Sequence, residues 1–190
     1  MELRERLEAA LDEPAVVRIR RAPFGEYSEL GYVVAMDSEL VLLLCISNQI
    51  RFDGFAVLRI RDISDLEVPH AHAEFVEGAL HLRGESVAEA PAVELGDLGS
   101  AIRTAGKLYP LLTLHREEVD PEVCHVGAVV GVAADSVSLI EIDPGAEWLE
   151  EPTSYFLSEI TRIDFGGGYE EALALVGGQP PSVRHLKLVP

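Results

Sequence analysis

The sequence predicts a mainly β protein with flanking helices, built from two tandem small five-stranded barrels that are each preceded by a short helix. Two observations support this prediction. Short runs of alternating apolar and polar residues recur along the chain, as in strands with one buried face. One arrangement also occurs twice, because "GYVVAMDSELVLLLCI" at 31–46 is followed 96 residues later by "GAVVGVAADSVSLIEI" at 127–142. A repeated order of elements indicates a duplicated unit.

The first half predicts a helix, five strands and an apolar terminal segment. Apolar residues at helical spacing in 2–11 predict the helix, which ends before Pro14. Val17 and Ile19 alternate with arginines and predict the first strand. The other predicted strands lie at 30–36, 40–46, 55–60 and 62–68, and the terminal segment is 75–82.

The second half repeats this order with few gaps. A helix is predicted in 95–110, and strands are predicted at 111–117, 125–133, 136–142, 154–158 and 159–165. Gly31 aligns with Gly127 at an offset of 96 residues, and Asp62 aligns with Glu159 at an offset of 97. The first unit therefore spans 1–83, a small acidic linker spans 84–94, and the second unit with a C-terminal tail spans 95–190. We expect the units to superpose, with two sheets rather than one.

The run Leu40–Ile46 is apolar at every position, whereas the aligned run "SVSLIEI" alternates. A strand with one wet face should alternate, so the run predicts that both faces are covered. Three covers are open: the N-terminal helix, the segment 75–82, or another subunit. We favour coverage within the chain, because both flanking segments are close in sequence.

The order of a helix and five short strands resembles the Sm-like (LSm) fold. The residues on the spacing of its two motifs are Gly31, Val33, Asp37, Leu40, Leu42, Leu58, Arg59 and Ile63, with Gly127 and Asp135 as the counterparts in the second half. An SH3-like barrel would give a similar pattern and stays open as the alternative. The resemblance implies that such barrels associate edge to edge through their fourth and fifth strands.

The Sm-like motifs are incomplete at the positions that bind RNA in that family. Val41 stands where the family has Asn, and Ile60 stands where it has Gly. In the second half, Phe156 aligns with Arg59, and Asp135 comes two positions late. The resemblance therefore implies the fold without a complete RNA pocket, and we expect no specific nucleic-acid binding.

The charge of the chain points the same way. The 15 basic and 33 acidic residues give a net charge of −18, and the acidic excess is spread over both halves. An acidic surface works against binding a polyanion and favours basic partners. No apolar run is long enough to span a membrane, and no signal segment is evident. We therefore expect a cytoplasmic protein with no membrane contact.

No constellation of residues predicts a catalytic, cofactor or metal site. Cys45 and Cys124 have no metal-ligand spacing and are interpreted as reduced thiols. His70 and His72 are expected at the surface beside a strand end rather than on a metal. Cys124 and the adjacent His125 should point to opposite faces of a strand. The glycines at 166–168 are interpreted as a flexible exit from the last strand.

Trp148 is the single tryptophan, and it lies beside Leu149 in a long acidic turn. An exposed Trp-Leu pair is a plausible partner contact, although the Trp could also fold back on the barrel. The leading interpretation is a non-enzymatic interaction or assembly module that meets a protein partner, or itself, through edge strands. The alternative is an acidic inhibitor or immunity-type protein with a basic partner, and residual RNA binding ranks third.

Overall fold

The computed structural model describes residues 2–25 and 27–181 of the 190-residue chain. The first half contains α1 (Leu3–Asp12), β1 (Val17–Arg20), β2 (Ser28–Met36), β3 (Leu40–Ile46), β4 (Phe52–Arg59), β5 (Asp65–Glu67) and α2 (Ala73–Leu82). The second half contains α3 (Leu98–Leu108), β6 (Leu112–His115), β7 (Cys124–Val132), β8 (Ser136–Glu141), β9 (Thr153–Phe156), β10 (Arg162–Phe165) and α4 (Gly168–Gly177). The predicted C-terminal tail at 182–190 lies outside the described residues.

All ten strands belong to one antiparallel sheet with the order β5-β1-β2-β3-β4-β10-β6-β7-β8-β9. Each half contributes its fifth, first, second, third and fourth strand in that order. The predicted mainly β class with flanking helices is confirmed. The expectation of two separate sheets is wrong, because β4 and β10 pair across the halves with Val57 opposite Ile163. The sheet is not closed, so the structure does not establish two five-stranded barrels.

The two halves share irregular backbone features as well as element order. The β2–β3 ladder shifts register after Val33, and the β7–β8 ladder shifts after Val129. A 3-10 turn follows the fourth strand in each half, at Ile60–Asp62 and Leu157–Glu159. The first residue of each turn donates its N–H, at 2.8 Å, to a carbonyl in the turn between the second and third strands. The repeat therefore extends to individual hydrogen bonds.

Gly31 and Gly127 are repeated because both strands come close to a neighbouring backbone. A Cβ atom on Gly31 would collide with the carbonyl oxygen of Leu44. A Cβ atom on Gly127 would collide in the same way with the carbonyl oxygen of Ile140. These two predicted motif positions therefore have a packing role, since only glycine permits the close approach.

The apolar strand β3 is covered on both faces, as the sequence predicted. On one face, Val41 and Leu43 pack in a cluster with Leu7 and Ala10 of α1. On the other face, Leu44 and Ile46 share a cluster with α2, whose buried residues are Val76 and Leu80. The cover comes from within the chain, so helices on either side of the sheet explain why no position of the run is polar.

The glycine segment after β10 does not form the flexible exit that we expected. Helix α4 begins at Gly168, whose backbone N–H donates to Oδ1 of Asp53 at 2.8 Å. Asp53 is 115 residues away in sequence, so no local pattern could reveal this hydrogen bond. The carboxylate satisfies an N–H at the start of the helix, where free backbone donors need an acceptor.

The described residues include no helix whose length and hydropathy would allow it to cross a membrane.

Replacing Leu43 with Asp should abolish cooperative folding or lower the free energy of unfolding by more than about 4 kcal/mol, because the side chain is fully buried and a charge there would be unpaired. Val130→Asp is the matched control, since Val130 lies on strand β7 and is 38 % exposed. Thermal unfolding followed by circular dichroism measures both variants. An unchanged melting temperature for Leu43→Asp would contradict the two-sided cover.

Candidate functional site

The junction between the halves is a strand pair backed by a shared core. Strand β10 pairs with β4 on one side and with β6 on the other. Leu42 and Val57 of the first half pack in one cluster with Ile163 and Phe165 of the second half. The halves therefore bury a common apolar surface and are not independent units joined only by the linker.

Three sets of ion pairs cross the junction. Arg21 makes a two-pronged contact with Glu117, at 2.6 and 2.8 Å, and both side chains are largely buried. Arg59 contacts Glu118 at 2.7 Å. Arg162 contacts Glu29. Guanidinium–carboxylate pairs of this kind combine charge with fixed geometry, so they help to specify which strand edges meet and in what register.

The Arg162 pair belongs to a larger buried network. Arg162 also donates through Nε to Asp164 at 2.6 Å, and His115 Nε2 lies 2.8 Å from the other oxygen of Asp164. Burial alone would raise the pKa of the Asp164 carboxyl, but Arg162 and His115 outweigh it and hold that pKa below its ordinary value. Burial alone would lower the pKa of Arg162, and Asp164 and Glu29 raise it instead. Arg162 and Asp164 therefore favour their charged forms in the folded protein.

Both cysteines are free thiols whose pKa values are raised, chiefly by burial. Asp164 raises the pKa of each thiol further. A nucleophilic cysteine needs a lowered pKa, so neither environment activates sulfur. His125 is engaged elsewhere: its Nδ1 lies 2.8 Å from the hydroxyl of Tyr155 and 3.3 Å from Glu141.

A cleft of about 1040 Å³ opens beside the buried network. Its walls come from the start of β2, the β3–β4 turn, the loop before α2 and the first turn of α4. Representative lining residues are Tyr27, Asn48, His70, Phe75, Arg162 and Glu170. The lining carries four carboxylates and two guanidinium groups among the described residues, together with many aliphatic and aromatic side chains, so the cleft is acidic with largely apolar walls.

The histidines before α2 differ from expectation in one respect. His70 is 5 % exposed rather than at the surface, and burial lowers its pKa. Its Nδ1 accepts the backbone N–H of His72 at 3.3 Å. The described residues contain no group of three potential metal ligands. The local role of His70 is therefore to shape the loop that enters α2.

Among the predicted Sm-motif positions, the aspartates lie in turns and the arginine is buried. The N–H of Asp37 donates to the carbonyl of Leu40 at 2.9 Å, and the carbonyl of Asp135 accepts from Leu157 at 2.8 Å. Arg59 is 7 % exposed and contacts Asp62 as well as Glu118. Its guanidinium is thus occupied by carboxylates of the same chain.

The predicted contact pair Trp148 and Leu149 is split by the fold. Trp148 is half-buried, and its indole N–H donates to the carbonyl of Gly177 at the end of α4, at 2.9 Å. Leu149 is 45 % exposed. Trp148 therefore fastens the long turn to α4, and Leu149 alone faces solvent.

The sheet ends in two short free edges. Within the described residues, β5 pairs only with β1, and β9 pairs only with β8. These are the fifth strand of the first half and the fourth strand of the second half. They are the same two kinds of strand that meet at β4 and β10 inside the chain.

Compared with family models, curated proteins and solved structures, the chain has no match in any of the three.

The ion pairs that cross the junction could not be predicted from local sequence patterns. One signal was present: the aligned positions of the fifth strands hold Asp65 in the first half and Arg162 in the second. The charges at these equivalent positions are reversed, and each side chain has its own partner: Asp65 contacts Arg20, and Arg162 contacts Glu29. The partner, Glu29, is 133 residues from Arg162 and could not be found from spacing.

Replacing Arg162 with Met should lower the free energy of unfolding by about 3–5 kcal/mol, because Glu29 and Asp164 would lose their buried counter-charge. Arg61→Met is the control, since the Arg61 side chain is 72 % exposed and its ion pair contributes little. Urea unfolding of both variants gives the comparison. Equal stabilities would show that the network does not hold the junction.

Asp164 should contribute to acid sensitivity. Its folded-state pKa is depressed, so its stabilisation is present above the unfolded-state pKa of about 3.9 and is lost as pH falls through the lower folded value. Asp164→Asn should therefore be less stable than the wild type near neutral pH and show a shallower loss of stability below about pH 4. Unfolding free energies measured from pH 7 to pH 3 test this, and parallel curves would contradict it.

Proposed function

We propose that the chain is a non-enzymatic cytoplasmic module for protein interaction or assembly, made of two Sm-like units that pair with further chains through the free edges of the sheet. One observation carries the proposal. The fourth strand of the first half pairs with the fifth strand of the second, which leaves a fifth strand, β5, and a fourth strand, β9, at the two ends. The Sm-like resemblance implies association through these same strands.

The backbone at the β9 edge supports the proposal. The N–H of Leu157 donates to the carbonyl of Asp135, on the β8 side of the strand. Successive residues of a strand direct their backbone groups to opposite sides, so Tyr155 faces β8 and Ser154 faces outward. An outward N–H and C=O at the centre of an edge form the template to which another strand can add.

The edges are also protected, which favours a selective partner over aggregation. Strand β5 has three residues and β9 has four. Arg6 of α1 donates to the carbonyl of Leu66, the central residue of β5. Pro152 precedes β9 and limits its length. Short strands, nearby charges and proline are the usual means by which edges avoid indiscriminate pairing.

The alternative is an acidic inhibitor or immunity-type protein that blocks a basic partner. The observation that favours it is the acidic cleft beside the junction, together with the net charge of −18. RNA binding ranks third, because Arg59 is paired with Asp62 and Glu118 and is not free to contact a base. The raised pKa values of both thiols disfavour a cysteine nucleophile.

Self-association through β9 should be blocked by Ser154→Pro, because proline removes the outward N–H and leaves the ladder to β8 intact. Ser154→Ala keeps that N–H and is the matched control. Sedimentation velocity over a concentration series should show association for the wild type and the Ala variant, and a monomer for the Pro variant. A wild type that stays monomeric at every concentration would contradict assembly. Salt-sensitive capture of a basic protein would favour the inhibitor, and submicromolar binding of a single-stranded oligonucleotide would favour RNA binding.

A further inference from the structure

The ion pairs at the internal junction have counterparts at the free edges, because the halves align residue by residue. Leu40 lies opposite Arg59 in the first half, and Ser136 lies opposite Phe156 in the second. Phe156 therefore occupies the place of Arg59. In the same way, Arg20 lies opposite Asp65, and His115 lies opposite Arg162, so Asp65 occupies the place of Arg162.

The acidic partners of these arginines can also be aligned with positions in the other half. The N–H of Ala22 donates to Ser64 Oγ at 2.8 Å, and the N–H of Glu117 donates to Thr161 Oγ1 at 3.3 Å. Ala22 therefore aligns with Glu117, and the next residue, Pro23, aligns in sequence with Glu118. Glu29 aligns with His125 at the same offset of 96 that relates Gly31 to Gly127.

Positions that contact each other inside the chain have changed together at the free edges. Arg59 and Glu118 form an ion pair, whereas their counterparts Phe156 and Pro23 are both uncharged. The other pair is Arg162 with Glu29, and its counterparts are Asp65 and His125, of which Asp65 contacts Arg20 of its own half at 2.7 Å. Concerted change of this kind is expected if the counterparts also meet.

The third ion pair, Arg21 with Glu117, has no counterpart across the free edges, and the aligned arginine is paired within its own half. Arg116 aligns with Arg21 but contacts Glu159 of its own half at 2.9 Å. This contact within the half fits the replacement of Glu117 by Ala22. Arg116 Nε and His125 Nε2 are buried without a hydrogen-bond partner among the described residues, and the β9 edge exposes an aromatic side chain: Phe156 is 57 % exposed.

We propose that β9 of one copy pairs with β5 of a second copy in the register of β4 with β10, and that Phe156 is the main specificity-determining residue of this contact. Ser154 then lies opposite Leu66, as Val57 lies opposite Ile163 inside the chain, and the Ser154 N–H takes the place of the Arg6 side chain on the carbonyl of Leu66. Asp65 of the second copy approaches the side of the sheet that holds His125. The proposal rests on the proposed assembly function and names its partner, a second copy of this chain.

The residues at the internal junction and those at the free edges differ in charge, so they disfavour pairing between the wrong strands. If β5 replaced β10 against β4, Asp65 would face Glu29, and Arg59 would face no carboxylate from the incoming strand. If β10 of another copy met β9, Glu118 would lie against Phe156 and would lose its guanidinium. Each error places like charges together or buries an unpaired charge, which is how specific interfaces reject competitors. The chain therefore carries one polar junction inside and one mainly apolar junction outside.

The charge of the chain predicts how this contact responds to salt. Each copy carries a net charge of −18, so two copies repel each other at long range. Added salt screens this repulsion and leaves the burial of Phe156 unaffected. Association should therefore strengthen as salt rises, whereas capture of a basic partner would weaken.

The test is the variant Phe156→Ser, measured by sedimentation equilibrium on the full chain at low and moderate salt. Truncating a central aromatic at an interface costs affinity strongly, so the dissociation constant should rise at least about tenfold. Leu175→Ser is the matched control: Leu175 is 85 % exposed on α4, which lies outside the sheet. Circular dichroism of both variants checks that they remain folded.

The outcomes separate the inference from the function on which it rests. Loss of association for Phe156→Ser alone supports the proposal. If Ser154→Pro blocks association and Phe156→Ser does not weaken it, the edge assembles but the proposed residue code is wrong. Equal weakening by Phe156→Ser and Leu175→Ser would show a general apolar attraction and would also overturn it. A wild-type chain that is monomeric throughout overturns both proposals.

Discussion

The pairing of β4 with β10 is the constraint on which the rest of the structure depends. It joins two halves of five strands into one sheet, and it places Ile163 and Phe165 in the same core as Leu42 and Val57. Hydrogen bonds between strands do not by themselves select a register, because any two edges can supply them. The register is set by the apolar side chains that each strand turns toward the shared core, and the guanidinium–carboxylate pairs across the junction satisfy their buried charges in this alignment.

Most of the fold could be predicted from the sequence, because local residue patterns specify the helices and strands. Alternation marked the strands, helical spacing marked α1 and α3, and the repeat at offsets of 96 and 97 revealed the duplication. The continuous sheet could not be predicted, because it depends on which edge strands of the two halves pair with each other. The sequence pattern of an edge strand does not differ from that of any other strand. Helix α4 escaped because its first N–H is satisfied by Asp53, a residue of the other half.

The candidate site was less predictable, for a physical reason. Buried ion pairs join residues that are distant in sequence and carry no motif, so Arg21, Glu117 and Arg162 look like ordinary surface charges. The predicted motif positions proved to be structural: Gly31 and Gly127 allow close backbone approach, and Arg59 is held by carboxylates.

The covalent linkage of the halves has a consequence for the stoichiometry of the two units. Two separate proteins that shared this junction would have to be made in equal amounts and would compete with their own copies for each edge. A single chain fixes the ratio at one to one and fixes the order of the two units along the sheet. The linker at 84–94 also keeps the halves at a high effective concentration, so their junction tolerates polar pairs that two free subunits would form more weakly. Linking the halves in one chain thus removes the need for matched expression of two proteins and for a high affinity between them.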